Sequence, residues 1–416
     1  MRLLTKSYDG GALYYVLIAA ILIALLTGSV YMALGMHMQI DHTLDRTDRV
    51  LRNFHSALEI ARAETDDVYA GETMTIDLFG NQTDSVEITR KHWGLMEVNN
   101  IRSYAQAEEV KRSVMMAYEI DPKQRLALQL DERNRALSLC GNTVIKGNCQ
   151  LPKAGVRRAY IEGKSFVGAK LINGTTTVVT EKASTPNVDA YQPYFKLCYN
   201  PVPEELVFSD SVSTSFWEEQ EQWVFLEPGT VSQFSASGQT VLYSTDRVVL
   251  DNTVSIEDAI VVAPVIHLAS GFTGAGQFLA TDSLILDENV TLRYPSVLCI
   301  NRLELTHQGQ LIIKENSSVS GLVVLADAIK GRNGGGHMSL AANSTIRGQV
   351  FCESSFDHRG SVEGMVETHS FLLRTPSSVY ENHLLDATLD CESLDSHYVF
   401  LASSSTTNRN LVKWLY

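Results

Sequence analysis

APVIHL (263–268), PSVLCI (295–300), GLVVLA (321–326) and GQVFCE (348–353) are short apolar runs that align beneath one another. Leu268, Cys299, Leu325 and Cys352 fall in one column, at gaps of 31, 26 and 27 residues. An earlier apolar run accompanies each later copy: SLILDENV, QLIIKENSS and MSLAANSTI, with Asn289, Asn316 and Asn343 following the strand-like part. SVEGMVETHSFLL closes the series as a shorter unit. Self-similarity at such a period marks stacked supersecondary units, none of which can bury its apolar face alone. The texture predicts a right-handed parallel β-solenoid over residues 250–380. Asn suits its corners because it tolerates left-handed φ and can pair its amide with the copy above. An antiparallel sandwich also has alternating strands, but it requires no register across 26–31 residues. At about 4.8 Å per coil, Cys299 and Cys352 would stand roughly 9–10 Å apart. That exceeds disulfide reach, so both are expected to be free and buried.

Working outward, residues 137–180 have the same broken texture and form a first β tract. Residues 181–249 read as an insertion or capping segment, with Pro186, Pro193, Pro201 and Pro203 and the acidic-aromatic stretch FWEEQEQWVF (216–225). Residues 381–416 are expected to be a C-terminal cap.

At the other end, ALYYVLIAAILIALLTGSVYMAL (Ala12–Leu34) has no charged residue over 23 positions. About 20 apolar residues suffice to cross the hydrocarbon core. The run is longer than the apolar part of a cleaved signal peptide, so it reads as an uncleaved transmembrane helix. Arg2 and Lys6 precede it, whereas Asp41, Asp45, Arg46, Asp48 and Arg49 follow with mixed signs. The positive-inside rule then places residues 1–11 in the cytoplasm and the body beyond a bacterial inner membrane, periplasmic or extracellular. Ile40, Leu44, Thr47, Leu51, Phe54, Leu58 and Ala61 continue as an apolar stripe at heptad spacing. This stripe serves either the protein's own sheet or a neighbouring copy. Two alternating runs about Gly80-Asn81 predict a β-hairpin, and a helix is expected around Ala105 to Ala117. Residues 35–136 thus form a helix plus small sheet. The expected fold class is α+β, mostly β: a transmembrane helix with an amphipathic extension and small sheet, then the solenoid.

That order resembles the type IV pilin-like proteins. Gly10-Gly11-Ala12-Leu13 runs straight into the apolar helix with Lys6 upstream, and it is similar to the start of the large minor pseudopilin of type II secretion. The resemblance implies a processing junction at Gly10, Gly11 and Ala12. Most pilins carry Glu at the fifth mature position; here Tyr15 or Val16 would stand there, and the large tip pseudopilin lacks that Glu as well. The stretch CGNTVIKGNCQLPKAGVRRAYIEG (140–163) also resembles uncharacterised bacterial envelope proteins that carry one N-terminal anchor before a β-helical body. That group brings no residue roles with it.

The net charge is −14, spread along the chain. This argues against nucleic acid, whose phosphates require clustered Lys and Arg. The six cysteines include Cys140 and Cys149, close enough for a local disulfide in an exported body. No CxxC or CxxxC occurs, and no metal or other cofactor is expected. HExxH, GxSxG and P-loop patterns are absent; Gly331 to Gly336 lacks the Lys-Ser/Thr that reaches phosphate. For a solenoid enzyme acting on glycans, the candidate groups are Asp327, His337, Arg347, Asp357, His358 and Arg359. The leading expectation is a non-enzymatic envelope component. Its partners would be the lipid bilayer, through the N-terminal helix, and copies of itself or other envelope proteins.

Overall fold

The computed structural model describes residues 11–63, 71–78, 80, 84–180, 191–199, 210–302, 309–327, 335–395, 397–401 and 409–415. One long helix, Gly11–Arg62, is followed by a mostly β body. Residue contacts divide the chain into two units: 1–57 with 75–87 and 102–111, and the remainder.

In the first unit the helix begins apolar and ends amphipathic. At 1.5 Å per residue its 52 residues extend about 78 Å. Its most apolar window has a mean hydropathy of 2.4 and is unburied, so the helix is long and apolar enough to span a membrane. Beyond it, Val50, Phe54 and Ala57 are buried, as are Val86 and Ala105. The Ser103 hydroxyl donates to the Val50 carbonyl at 2.9 Å. The Arg49 guanidinium pairs with Asp84 at 3.4 Å. The buried face is rotated from the heptad reading. Thr47, Phe54 and Ala61 lie on or beside it, but Val50 and Ala57 replace Leu51 and Leu58, and Ile40, Leu44 and Leu51 remain exposed. Both stripes have helical spacing, and only a neighbouring sheet can choose between them.

Strands Thr73–Ile76, Asp84–Trp93, Met96–Ala105, Glu108–Tyr118 and Arg409–Leu415 form a five-stranded sheet in that order. The two strands of the expected hairpin are its first two strands and are neighbours; Asn81 of the expected turn lies outside the described residues. The helix expected around Ala105 to Ala117 is instead the strand Glu108–Tyr118, paired antiparallel with Arg409–Leu415. Residues Ser113 to Ala117 are buried without alternation, and a short apolar run buried on both sides has no period to separate strand from helix.

The second unit holds three parallel ladders. The middle one runs without a break through Val224, Leu242, Val261, Phe278, Leu298, Val323, Val350, Val366, Leu128, Cys149 and Thr176. A second ladder stacks Leu250, Leu268, Leu286, Ile313, Leu340 and His358. The remaining ladder includes Ile256, Val319, Ile346, Val362, Leu389 and Ile145. Successive strands of one coil lie in successive ladders, and their inward side chains form one core cluster.

The chain does not fill the ladders in sequence order. Residues 211–249, read as part of an insertion, supply the first rungs. The tract 137–180 does not form a separate layer: its strands stack onto the far end of the 361–390 rungs. His383–Leu385 and Thr388–Asp390, expected in a cap, also belong to ladders.

The corners follow the expected chemistry in part. Asn289, Asn316 and Asn343 have φ of 63°, 58° and 60°. Cross-coil bonding there comes from the following serines: the amide of Val290 donates to Ser317 Oγ and that of Ser317 to Ser344 Oγ, at 3.2 and 3.1 Å. Gly321, Gly348 and Gly364 stack at φ between 130° and 150°, and a Cβ on either of the latter two would strike the carbonyl of the glycine beside it.

The aligned column is off by one residue at Cys299. Leu325 does pair with Cys352, but Ile300, not Cys299, pairs with Leu325. Side chains alternate between faces, so a one-residue slip turns Cys299 outward. It packs with Val262, Leu279, Phe195 and Val399 in a second cluster on the outer side of the middle ladder, whereas Cys352 lies in the core. Both thiols are free and buried, as expected. Leu268 belongs to a different ladder from Leu325.

Candidate functional site

A shallow concave surface lies at the first rung, where strands Ser211–Thr214 and Gln222–Phe225 are joined by a short loop. Thr214, Trp217, Glu218, Glu219, Gln220, Glu221 and Gln222 line a depression of about 630 Å³. Glu221 anchors it. Its carboxylate accepts from the Tyr194 hydroxyl and from Trp223 Nε1, each at 3.2 Å. Burial raises the Glu221 pKa against these stabilising bonds. Lys91 Nζ donates to the Glu218 carbonyl at 2.9 Å; burial lowers its pKa, and Glu221 and Glu219 oppose that shift. The Thr214 hydroxyl donates to Gln222 Oε1 at 2.6 Å. The result is an anionic depression with aromatic edges, suited to cationic groups or to hydroxyl-rich ligands.

FWEEQEQWVF marks this place in the sequence. Lys91 and Tyr194 arrive from distant segments, and no local pattern connects them to it.

The six glycan-site candidates do not form one constellation. Arg347 lies in a different ladder from His337 and Asp357, and pairs with Glu363 at 2.6 Å. Asp327 ends the strand Ser318–Asp327, opposite Arg302 in the middle ladder; its side chain lies outside the described residues. His337 and Asp357 are near neighbours, since His337 pairs with Ser355 and Ser339 with Asp357. Nδ1 of His337 lies 3.2 Å from Ser355 Oγ, and burial followed by Arg374 lowers its pKa against the pull of Asp357. Both Asp357 oxygens accept from Arg359, at 3.1 and 3.0 Å. His358 points into the core. It is 2% exposed, stacks at 5.1 Å on Phe356, and burial pushes its pKa down to about 4. Among the described residues, no group of three or more His, Cys, Asp or Glu could hold a metal.

At the candidate processing junction, Gly11 is the first residue of the long helix and Ala12 the second; Gly10 lies outside the described residues. Cys140 and Cys149 are free thiols in different ladders and different apolar clusters. Burial raises both, Cys149 to about 12. Gly331 to Gly334 lie outside the described residues.

No protein-family model, curated protein or solved structure matches this chain.

Proposed function

We propose that this protein is a non-enzymatic, membrane-anchored structural or assembly component of the bacterial envelope, with a pilin-like stalk and a right-handed β-solenoid body. The observation that carries this reading is the joining of an unburied, membrane-length helix to a body of long, unbroken parallel ladders. Parallel strands that advance from ladder to ladder along one coil are what a solenoid requires. The N-terminus lies in the cytoplasm and the body in the periplasm, on the strength of Arg2 and Lys6 and the mixed charges beyond the span. The ion pairs that engage Arg347, Asp357 and Arg359 support a structural use of the candidate catalytic groups.

A C-terminal fusion to an export-dependent reporter tests the orientation. Activity is expected there, and silence at the C-terminus with activity at the N-terminus would reject it. N-terminal sequencing of the mature protein reads the pilin-like step: a start at Gly11 or Ala12 supports processing, and an intact Met1 removes it.

One observation favours a second reading, a body that binds or cleaves glycans: Trp217 beside Glu218, Glu219 and Gln220 offers a stacking face and hydroxyl acceptors in one depression. Under that reading immobilised glycans retain the protein and Trp217→Ala releases it; failure of the parent protein to be retained removes the reading.

A further inference from the structure

The two ends of the ladders carry opposite charge. Residues 210–246, which build the first rungs, contain no Lys, Arg or His and six acidic residues. Residues 151–180, which build the last, contain five basic residues and one acidic. At the last rung, Lys153, Arg157, Arg158 and Lys170 are exposed and make no ion pair among the described residues. At the first rung, Glu218, Glu219 and Glu227 are exposed and Glu221 half-buried.

Among the described residues, the ends also leave strand edges open. Among the described residues, Thr176–Val178 pairs only with Asn148–Leu151, and Val156–Arg158 only with Leu137–Cys140. At the opposite end, Gln222–Phe225 pairs only with Thr240–Tyr243, and Gly229–Val231 only with Val248–Leu250. Such edges are templates for further pairing, and proteins ordinarily cover or blunt them. Here the last rung adds exposed apolar side chains, with Tyr160 71%, Val167 72% and Val178 49% exposed. The first rung adds the half-buried Trp217 and Trp223.

Ten steps of about 4.8 Å along the middle ladder separate the ends by roughly 48 Å. Charges so far apart are screened from each other at a Debye length of about 8 Å, so they do not neutralise one another within one molecule. Between molecules they match. A translation along the ladders brings Thr176–Val178 to Gln222–Phe225 in the same ladder and in the same parallel sense, and Val156–Arg158 to Gly229–Val231.

We propose that copies of this protein associate head to tail, the basic last rung of one docking on the acidic first rung of the next and continuing its ladders. The contact is heterologous, so it propagates into a filament unless it closes into a ring. Arg157 and Arg158 meet Glu227 at the rim, and the edge strands and aromatic side chains bury beneath them. The contact rests on the assembly reading above and supplies its partner.

The test uses the full chain in nonionic detergent, with Thr177→Cys and Phe225→Cys, which the continued ladder places opposite one another, together in one polypeptide and a mild oxidant. A ladder of dimer, trimer and higher bands is expected on a non-reducing gel, at least tenfold weaker in 1 M than in 0.15 M salt. Arg157→Glu with Arg158→Glu should abolish it. Adding Glu227→Lys to that chain should restore it, which also shows that the first variant was folded. Absence of the ladder in the parent chain, as when residues 181–190 or 201–209 cap the ends, or a ladder indifferent to charge reversal, overturns the proposal. A monomer whose C-terminal reporter is still exported would remove this contact and leave the anchored reading standing.

Discussion

His358 gives the most specific energetic prediction. It stands where its ladder neighbours are Leu250, Leu268, Leu286, Ile313 and Leu340. Its ring stacks on Phe356 at 5.1 Å and lies 6.5 Å from Phe371, Nε2 lies 3.1 Å from the Thr388 carbonyl, and Nδ1 has no partner among the described residues. The neutral ring donates from Nε2 and leaves only an acceptor unmet; protonation would place an unsatisfied charge in the core. The folded pKa of about 4 lies below the unfolded value of roughly 6.5. Between those values the unfolded chain binds the extra proton, so stability falls as pH falls through that window. At 1.36 kcal/mol per pKa unit, lowering the pH from 7 to 5 costs about 2 kcal/mol through this residue. His358→Leu restores the aliphatic column and removes that cost, while losing one hydrogen bond worth about 1 kcal/mol at either pH. Urea unfolding of the full chain in detergent, followed by tryptophan fluorescence, measures both proteins at pH 7 and 5. The variant should lose about 2 kcal/mol less than the parent across that interval. An equal loss in the two proteins would refute the reasoning, because other carboxylates and histidines contribute identically to both.

Gly348→Ala should destabilise the body by roughly 3 kcal/mol or more, because its Cβ would meet the Gly321 carbonyl at a φ of 130°; a circular-dichroism melt reads this, and a change under 0.5 kcal/mol contradicts it. Val50→Asp should disrupt the first unit, whereas Leu51→Asp should change stability by no more than about 0.5 kcal/mol, since Val50 is buried and Leu51 is 41% exposed; protease resistance of the two variants compares them. All six cysteines are buried thiols, so a maleimide should label none in the native protein and six after denaturation. Labelling of four would mean that two are joined, with Cys140 and Cys149 the sequence-adjacent pair.

The parallel repeat was legible because its cause is local. Asn289, Asn316 and Asn343 recur at the corners, and the apolar runs recur with them. The register of Cys299 was not legible, because PSVLCI is apolar on both faces. The outer face of this ladder is covered by segments such as Phe195 and Val399, far away in sequence. A strand buried on both sides loses the alternation that reveals which residues face inward. The stalk shows the same limit: Leu51 and Val50 belong to two adjacent stripes, and the sheet that buries one of them lies 35 residues or more downstream. The interleaving of 126–178 with 361–390 leaves no local trace at all, since any coil of this texture could stack on any other. The depression around Glu221 was half legible: FWEEQEQWVF named the place, but Lys91 and Tyr194 complete it only through the fold.

The central claim is that one continuous parallel ladder runs from residues 222–225 through 366–368 and back through 128–130 to 176–178. Spin labels at Gln222→Cys and Thr177→Cys, with the labelled chain diluted in unlabelled protein, measure its length by double electron–electron resonance. Ten steps of about 4.8 Å predict a narrow distribution centred near 48 Å. A distribution centred below about 30 Å, as an antiparallel sandwich folding 137–180 against 211–250 would give, contradicts the account.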